Sequence, residues 1–150
     1  LMRAKIAEAL KSAQKAQDKE LVSTLRMVSA AIQDRDILNR GTGKEAAGDD
    51  EILQILTKMV KQRQESAKAF EDGNRPELAA RENAEIAIIG NFLPSQMDEA
   101  ETQAAIEATI SETGASGLRD MGKVMNALKE KYPGQMDFGK ASGIVKSRLQ

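Results

Sequence analysis

Residues 74–95 read NRPELAARENAEIAIIGNFLPS, and this stretch decides the architecture. Asn74 is a helix-capping residue type, Pro76 suits a first helical turn where no amide donor is needed, and Glu77 stands three residues after the expected cap. Leu78, Ile86, Ile89, Phe92 and Leu93 then build one apolar side at helical spacing. Pro94 disfavours helical geometry at Leu93 and ends the run. The spacing therefore predicts a helix closed by a boundary at Leu93-Pro94-Ser95, with one domain over 1–93 and another over 94–150.

Upstream, the apolar positions keep the same period. Ile52, Leu56, Met59, Val60, Ala67 and Phe70 mark a helix that starts at Asp49 or Asp50 and stops at Gly73. Gly41-Thr42-Gly43 opens a loop that runs through Lys44 to Gly48. Asp18 can cap a helix carrying Leu21, Leu25, Val28 and Ile32, and a first helix over residues 2–16 places Ile6, Ala9, Leu10 and Ala13 together. Downstream, Asp98-x-x-Glu101 has the form of a capping box and opens a helix to about Thr113, with Gly114 behind it. Residues 120–131 align Met121, Val124, Met125 and Leu128, and Asp137 can cap a last helix bearing Phe138, Ala141, Val145 and Leu149. No period-2 run appears, nor an Asn-Gly hairpin. The reading is all-α: a bundle of about four helices followed by a small three-helix tail unit.

Composition agrees with helices and excludes much chemistry. The 150 residues include one Tyr, three Phe and no Trp, in an Ala-rich background that favours helix over strand. With no Cys and no His, disulfides, thiolate nucleophiles, imidazole bases, catalytic triads and thiolate or histidine metal sites are all excluded. Lys+Arg is 22 against Asp+Glu 23, a net charge of −1, which argues against a generally basic coat protein yet permits a local basic patch. No apolar run approaches the roughly 18 residues of a membrane span. Leu1-Met2-Arg3-Ala4-Lys5 leads into an amphipathic segment without a signal-peptide core, so a cytoplasmic location is expected. No GxxxxGK[ST], GxGxxG or GxSxG occurs, so no cofactor, no metal and no catalytic residue is assigned.

Some charges fall on apolar stripes. Arg63 lies among Ile52, Leu56, Met59 and Phe70; Glu85 lies among Leu78, Ile89 and Phe92, with Glu82 at the edge; Arg35 continues the Leu21–Ile32 stripe. A desolvated guanidinium requires a partner. Arg63 and Glu85 can therefore form a structural ion pair between two antiparallel helices. Arg35 and Arg63 can alternatively line a pocket for an anionic ligand, or the side chains can simply reach water. Lys58, Lys61 and Lys68 share a helical face with Glu65 and fit ordinary i,i+3 and i,i+4 pairing. Asp49-Asp50-Glu51 suits the positive end of a helix dipole.

In the tail the charges are sorted. Residues 98–112 hold Asp98, Glu99, Glu101, Glu107 and Glu112 and no base, whereas 119–148 hold Arg119, Lys123, Lys129, Lys131, Lys140, Lys146 and Arg148 against Asp120, Glu130 and Asp137. Phosphate binding uses such a positive concentration, with small residues that let the backbone approach, as Ser116-Gly117 and Gly122 would. Those seven cations are the expected RNA-binding set.

The segments Ser23-Thr24-Leu25-Arg26, Lys61-Gln62-Arg63, Phe92-Leu93-Pro94, Asp120-Met121-Gly122-Lys123-Val124-Met125 and Gly134-x-x-Asp137, in this order and spacing, resemble the GatB/YqeY family across almost the whole chain. The resemblance implies an all-helical protein whose tail corresponds to the part of the tRNA-dependent amidotransferase B subunit that helps hold tRNA. It also brings an amidotransferase-like label, carbon–nitrogen ligase with glutamine as amido donor, although the catalytic cradle and the Ser-rich amidase motif of that system have no counterpart here. The expected partners are tRNA or another RNA, or amidotransferase subunits met through an apolar, Met-containing surface; no membrane and no DNA are expected.

Overall fold

The computed structural model describes residues 1–150 and contains helices, turns and no strand. Seven α-helices follow in order: α1 Met2–Ala16, α2 Lys19–Gly41, α3 Asp49–Asp72, α4 Pro76–Gly90, α5 Glu99–Thr113, α6 Met121–Lys131 and α7 Phe138–Leu149, with a single 3-10 turn at Leu118–Asp120. They fall into two units, Leu1–Pro94 and Ser95–Gln150.

The first unit packs α1 to α4 around Ile6, Val28, Ile32, Ile52, Ile55, Leu56, Met59 and Ile89, with Phe92 and Leu93 laid against the edge. The second packs α5, α6 and α7 around Ala105, Ile106, Val124, Leu128, Met136, Ala141, Val145 and Leu149. Within this second unit the segment before α5 is tied to the turn before α7: Met97 N–H donates to Gln135 O at 2.9 Å and the Gln96 amide donates to Gly134 O at 2.7 Å. Thr109, buried in α5, keeps its hydroxyl satisfied on Ala105 O at 2.7 Å.

Helix starts use the acids read from the sequence. Asp18 accepts from Leu21 N–H at 3.2 Å, Asp137 from Gly139 and Lys140 N–H, and Asp98 forms a reciprocal capping box with Glu101. The start of α4 differs. Arg75, not Asn74, is the N-cap of α4, and it makes no side-chain cap bond. Asn74 instead takes a left-handed conformation, φ 58°. Its N–H reaches Glu71 O and the Arg75 N–H reaches Phe70 O, so Asn74 completes a Schellman closure of α3. The demand for a left-handed residue, which Asn tolerates, outranks its capping ability. Gly73, with φ −86°, is the C-cap and not the left-handed residue.

The same closure recurs at Gln17, Gly43 and Gly114, with φ of 56°, 76° and 67°. In each, paired amides return to the two carbonyls of the last turn: Gln17 and Asp18 to Gln14 and Ala13, Gly43 and Lys44 to Arg40 and Asn39, Gly114 and Ala115 to Ser111 and Ile110.

Candidate functional site

Arg63 and Glu85 meet. Arg63 Nε donates to Glu85 Oε2 at 2.9 Å, with only 13% and 20% of the side chains exposed. The rest of the guanidinium is also engaged: Nη1 donates to Met59 O at 3.1 Å and Nη2 to Met27 Sδ at 3.6 Å. One cation thus ties α3 to α4 and to α2. Arg35 lies elsewhere, donating to Glu51 Oε2 at 3.2 Å. The two arginines therefore do not converge on a shared anion pocket, because each guanidinium has its own carboxylate.

Glu51 does more than sit at a helix start. Its carboxylate accepts from the buried Asn39 amide as well as from Arg35, and Asn39 also donates to Glu45 O. Nearby, Arg3 makes a two-pronged contact with Asp36, both at 2.9 Å, and donates to Ala47 O; Ala47 N–H in turn donates to Asp36 at 2.8 Å. The Arg3 hydrogen bond, then the Ala47 amide, hold the Asp36 carboxyl below its ordinary range, and Asp36 raises Arg3 in return. These contacts pin the loop between α2 and α3 onto α1. They were invisible in the sequence because Arg3, Asp36 and Ala47 are far apart along the chain and carry no motif.

A groove of about 790 Å³ runs between α2 and α4. Thr24, Met27, Ala80, Ala84 and Glu85 are among its lining residues, with Lys19, Glu20, Glu77 and Arg81. Two cations against three carboxylates leave it without an electrostatic preference for anions.

In the tail unit all seven expected cations are exposed, but they are not equivalent. Lys131 pairs with Glu112 and Arg148 with Glu107, so the acid-only segment and the base-rich segment meet inside one small unit. Five remain without an internal ion pair, Arg119, Lys123, Lys129, Lys140 and Lys146. They spread over more than one face. At 100° per residue Lys123 and Lys129 lie about 120° apart around α6. The small-residue loop is occupied too. Asp120 Oδ2 accepts from Ser116 N–H at 3.0 Å, and this bond, helped by the charges of Arg119 and Lys123, lowers the Asp120 pKa. An internal carboxylate takes the amide that a phosphate would need.

The methionines divide between buried and half-buried positions. Met59 and Met136 are buried, while Met2, Met27, Met97, Met121 and Met125 pack against the two cores. Thioethers fill irregular gaps well, and here they serve packing. The large exposed apolar side chains are Leu1, Ile37, Leu38 and Leu118, with Ile37 and Leu38 adjacent at 63% and 62% exposure.

A family model described as "Yqey-like protein" matches residues 3–149. The chain belongs to the YqeY-like family. It is also 29% identical over 94 residues to an uncharacterized protein of Schizosaccharomyces pombe, an overlap covering 63% of this chain and 70% of the relative. A small helical YqeY-like module is thus established, and no helix in it is long and apolar enough to cross a membrane.

Proposed function

We propose that this YqeY-like module binds RNA, with tRNA as the expected class, through the basic helices of its tail unit. The supporting observation is that Arg119, Lys123, Lys129, Lys140 and Lys146 remain exposed without an internal ion pair while α5 neutralises two neighbours. Exposed pairs such as Lys131–Glu112 contribute about 0–1 kcal/mol, so they dilute the positive field without locking it. Their partial cancellation argues for a modest, backbone-directed contact, not for reading of bases.

The test is a gel-shift titration of tRNA at two salt concentrations. Binding should fall as salt rises, through loss of counterion release, and Lys123→Glu with Lys140→Glu should weaken it without loss of helical content. Wild-type protein that fails to retard tRNA at low salt would overturn the reading. A second reading, an accessory subunit of a glutamine-dependent amidotransferase assembly, draws support from the exposed Ile37–Leu38 pair on α2. Co-elution with amidotransferase subunits that is abolished by Ile37→Glu, with no retention of free tRNA, would favour it.

A further inference from the structure

Adjoining the groove between α2 and α4, at the start of α2, a pocket of about 470 Å³ is lined by Gln17, Lys19, Val22, Ser23 and Arg26, of which Lys19 and Ser23 also line the groove. Its volume falls in the range of small-molecule sites. Unlike the groove facing α4, it has two cations and no carboxylate among its lining residues. Lys19, Ser23 and Arg26 stand at i, i+4 and i+7, one above another on a single face of the helix. Neither cation forms an ion pair within the chain. Of the adjacent acids, Asp18 caps α2 through Leu21 N–H, and Glu20 lines the adjoining groove but not this pocket.

The donor set determines the ligand chemistry. An ammonium, a hydroxyl, a guanidinium and a carboxamide supply many donors and few acceptors, which suits an oxyanion. Lys19 and Arg26 are about 10 Å apart along the axis at 1.5 Å per residue, with Ser23 between them. A carboxylate offers only two oxygens to three donor groups. A phosphate presents several charged oxygens, enough for the Lys19 point charge, the Ser23 hydroxyl and the Arg26 fork together. Val22 adds an apolar wall for the organic part of an ester.

We infer that this pocket binds a phosphate ester, held by Lys19, Ser23 and Arg26. The site lies in the first unit and does not rest on the tail reading. Its source is either a small phosphorylated molecule or one phosphate of an RNA backbone.

Two-dimensional NMR titration of the full chain tests it, with inorganic phosphate, adenosine monophosphate and a short single-stranded RNA as separate probes. Saturable shifts at Gln17, Ser23 and the Arg26 side chain are expected in the millimolar range or tighter. Arg26→Gln should weaken them about tenfold, and Lys19→Gln with Arg26→Gln should abolish them at unchanged far-UV circular dichroism. Saturation by the mononucleotide alone assigns a small-molecule source. Displacement of the mononucleotide by RNA that persists in the Lys123→Glu, Lys140→Glu background assigns the RNA backbone. Absence of saturable shifts with every probe, or shifts that survive the Lys19, Arg26 double substitution, overturns the inference. Tail variants that lose tRNA while these shifts remain would separate the two readings.

Discussion

Arg63 shows how a misplaced charge becomes a joint. Its side chain is mostly out of water and meets a carboxylate, a carbonyl and a thioether from α4, α3 and α2. Glu85→Ala leaves that guanidinium desolvated and unpaired, and should cost about 2 kcal/mol by urea unfolding. Replacing both partners with apolar residues of similar volume, Arg63→Met with Glu85→Leu, should recover most of the loss. Asp36 offers a pH-dependent counterpart. Its carboxyl is held low in the folded chain, so its contribution is complete above the ordinary carboxylate value near 4 and disappears as pH falls through the folded value. Thermal melts of Asp36→Asn should therefore lie below wild type at neutral pH and converge with it in acid. Asn74 supplies a test of opposite sign: Asn74→Gly removes a left-handed penalty and should raise stability by a few tenths of a kcal/mol in urea unfolding.

At the scale of the element, apolar spacing and capping acids carried most of the information. The stripes of α2, α3, α6 and α7 bury Leu25, Leu56, Val124 and Val145 completely, and Asp18, Asp98 and Asp137 cap where their positions suggested. Truncating Leu56 to Ala should cost about 2–5 kcal/mol in chemical denaturation, since its surroundings can only partly collapse. Asn74 is ambiguous in the sequence because one residue type serves two local purposes, capping a start and closing an end. Only the return bonds from Asn74 and Arg75 to the α3 carbonyls distinguish them, and those depend on the path of the chain between helices. The Arg3–Asp36–Ala47 clamp was equally unreadable, since it depends on which helices adjoin and not on any local pattern.

At the scale of the molecule, charge is arranged within units more than between classes of residue. The segregation of acids in 98–112 from bases in 119–148 is plain in the sequence, but its outcome depends on α5 packing beside α6 and α7, which couples Glu112 to Lys131 and Glu107 to Arg148. The pocket at Lys19, Ser23 and Arg26 is hidden for another reason: Ser23 to Arg26 stands out in the sequence only as part of a family-resembling segment, and the concavity that joins it to Gln17 and Lys19 exists only in the fold. Because the tail has its own core, a fragment of residues 95–150 should be helical and unfold cooperatively, as circular dichroism would show. Finally, the hinge-free passage from α1 to α2 has an evolutionary corollary. Gln17 finishes one rod and Asp18 begins the next, with nothing in between. An inserted residue there would dismantle both fastenings at once. Length variation among natural versions of this protein should therefore avoid that joint.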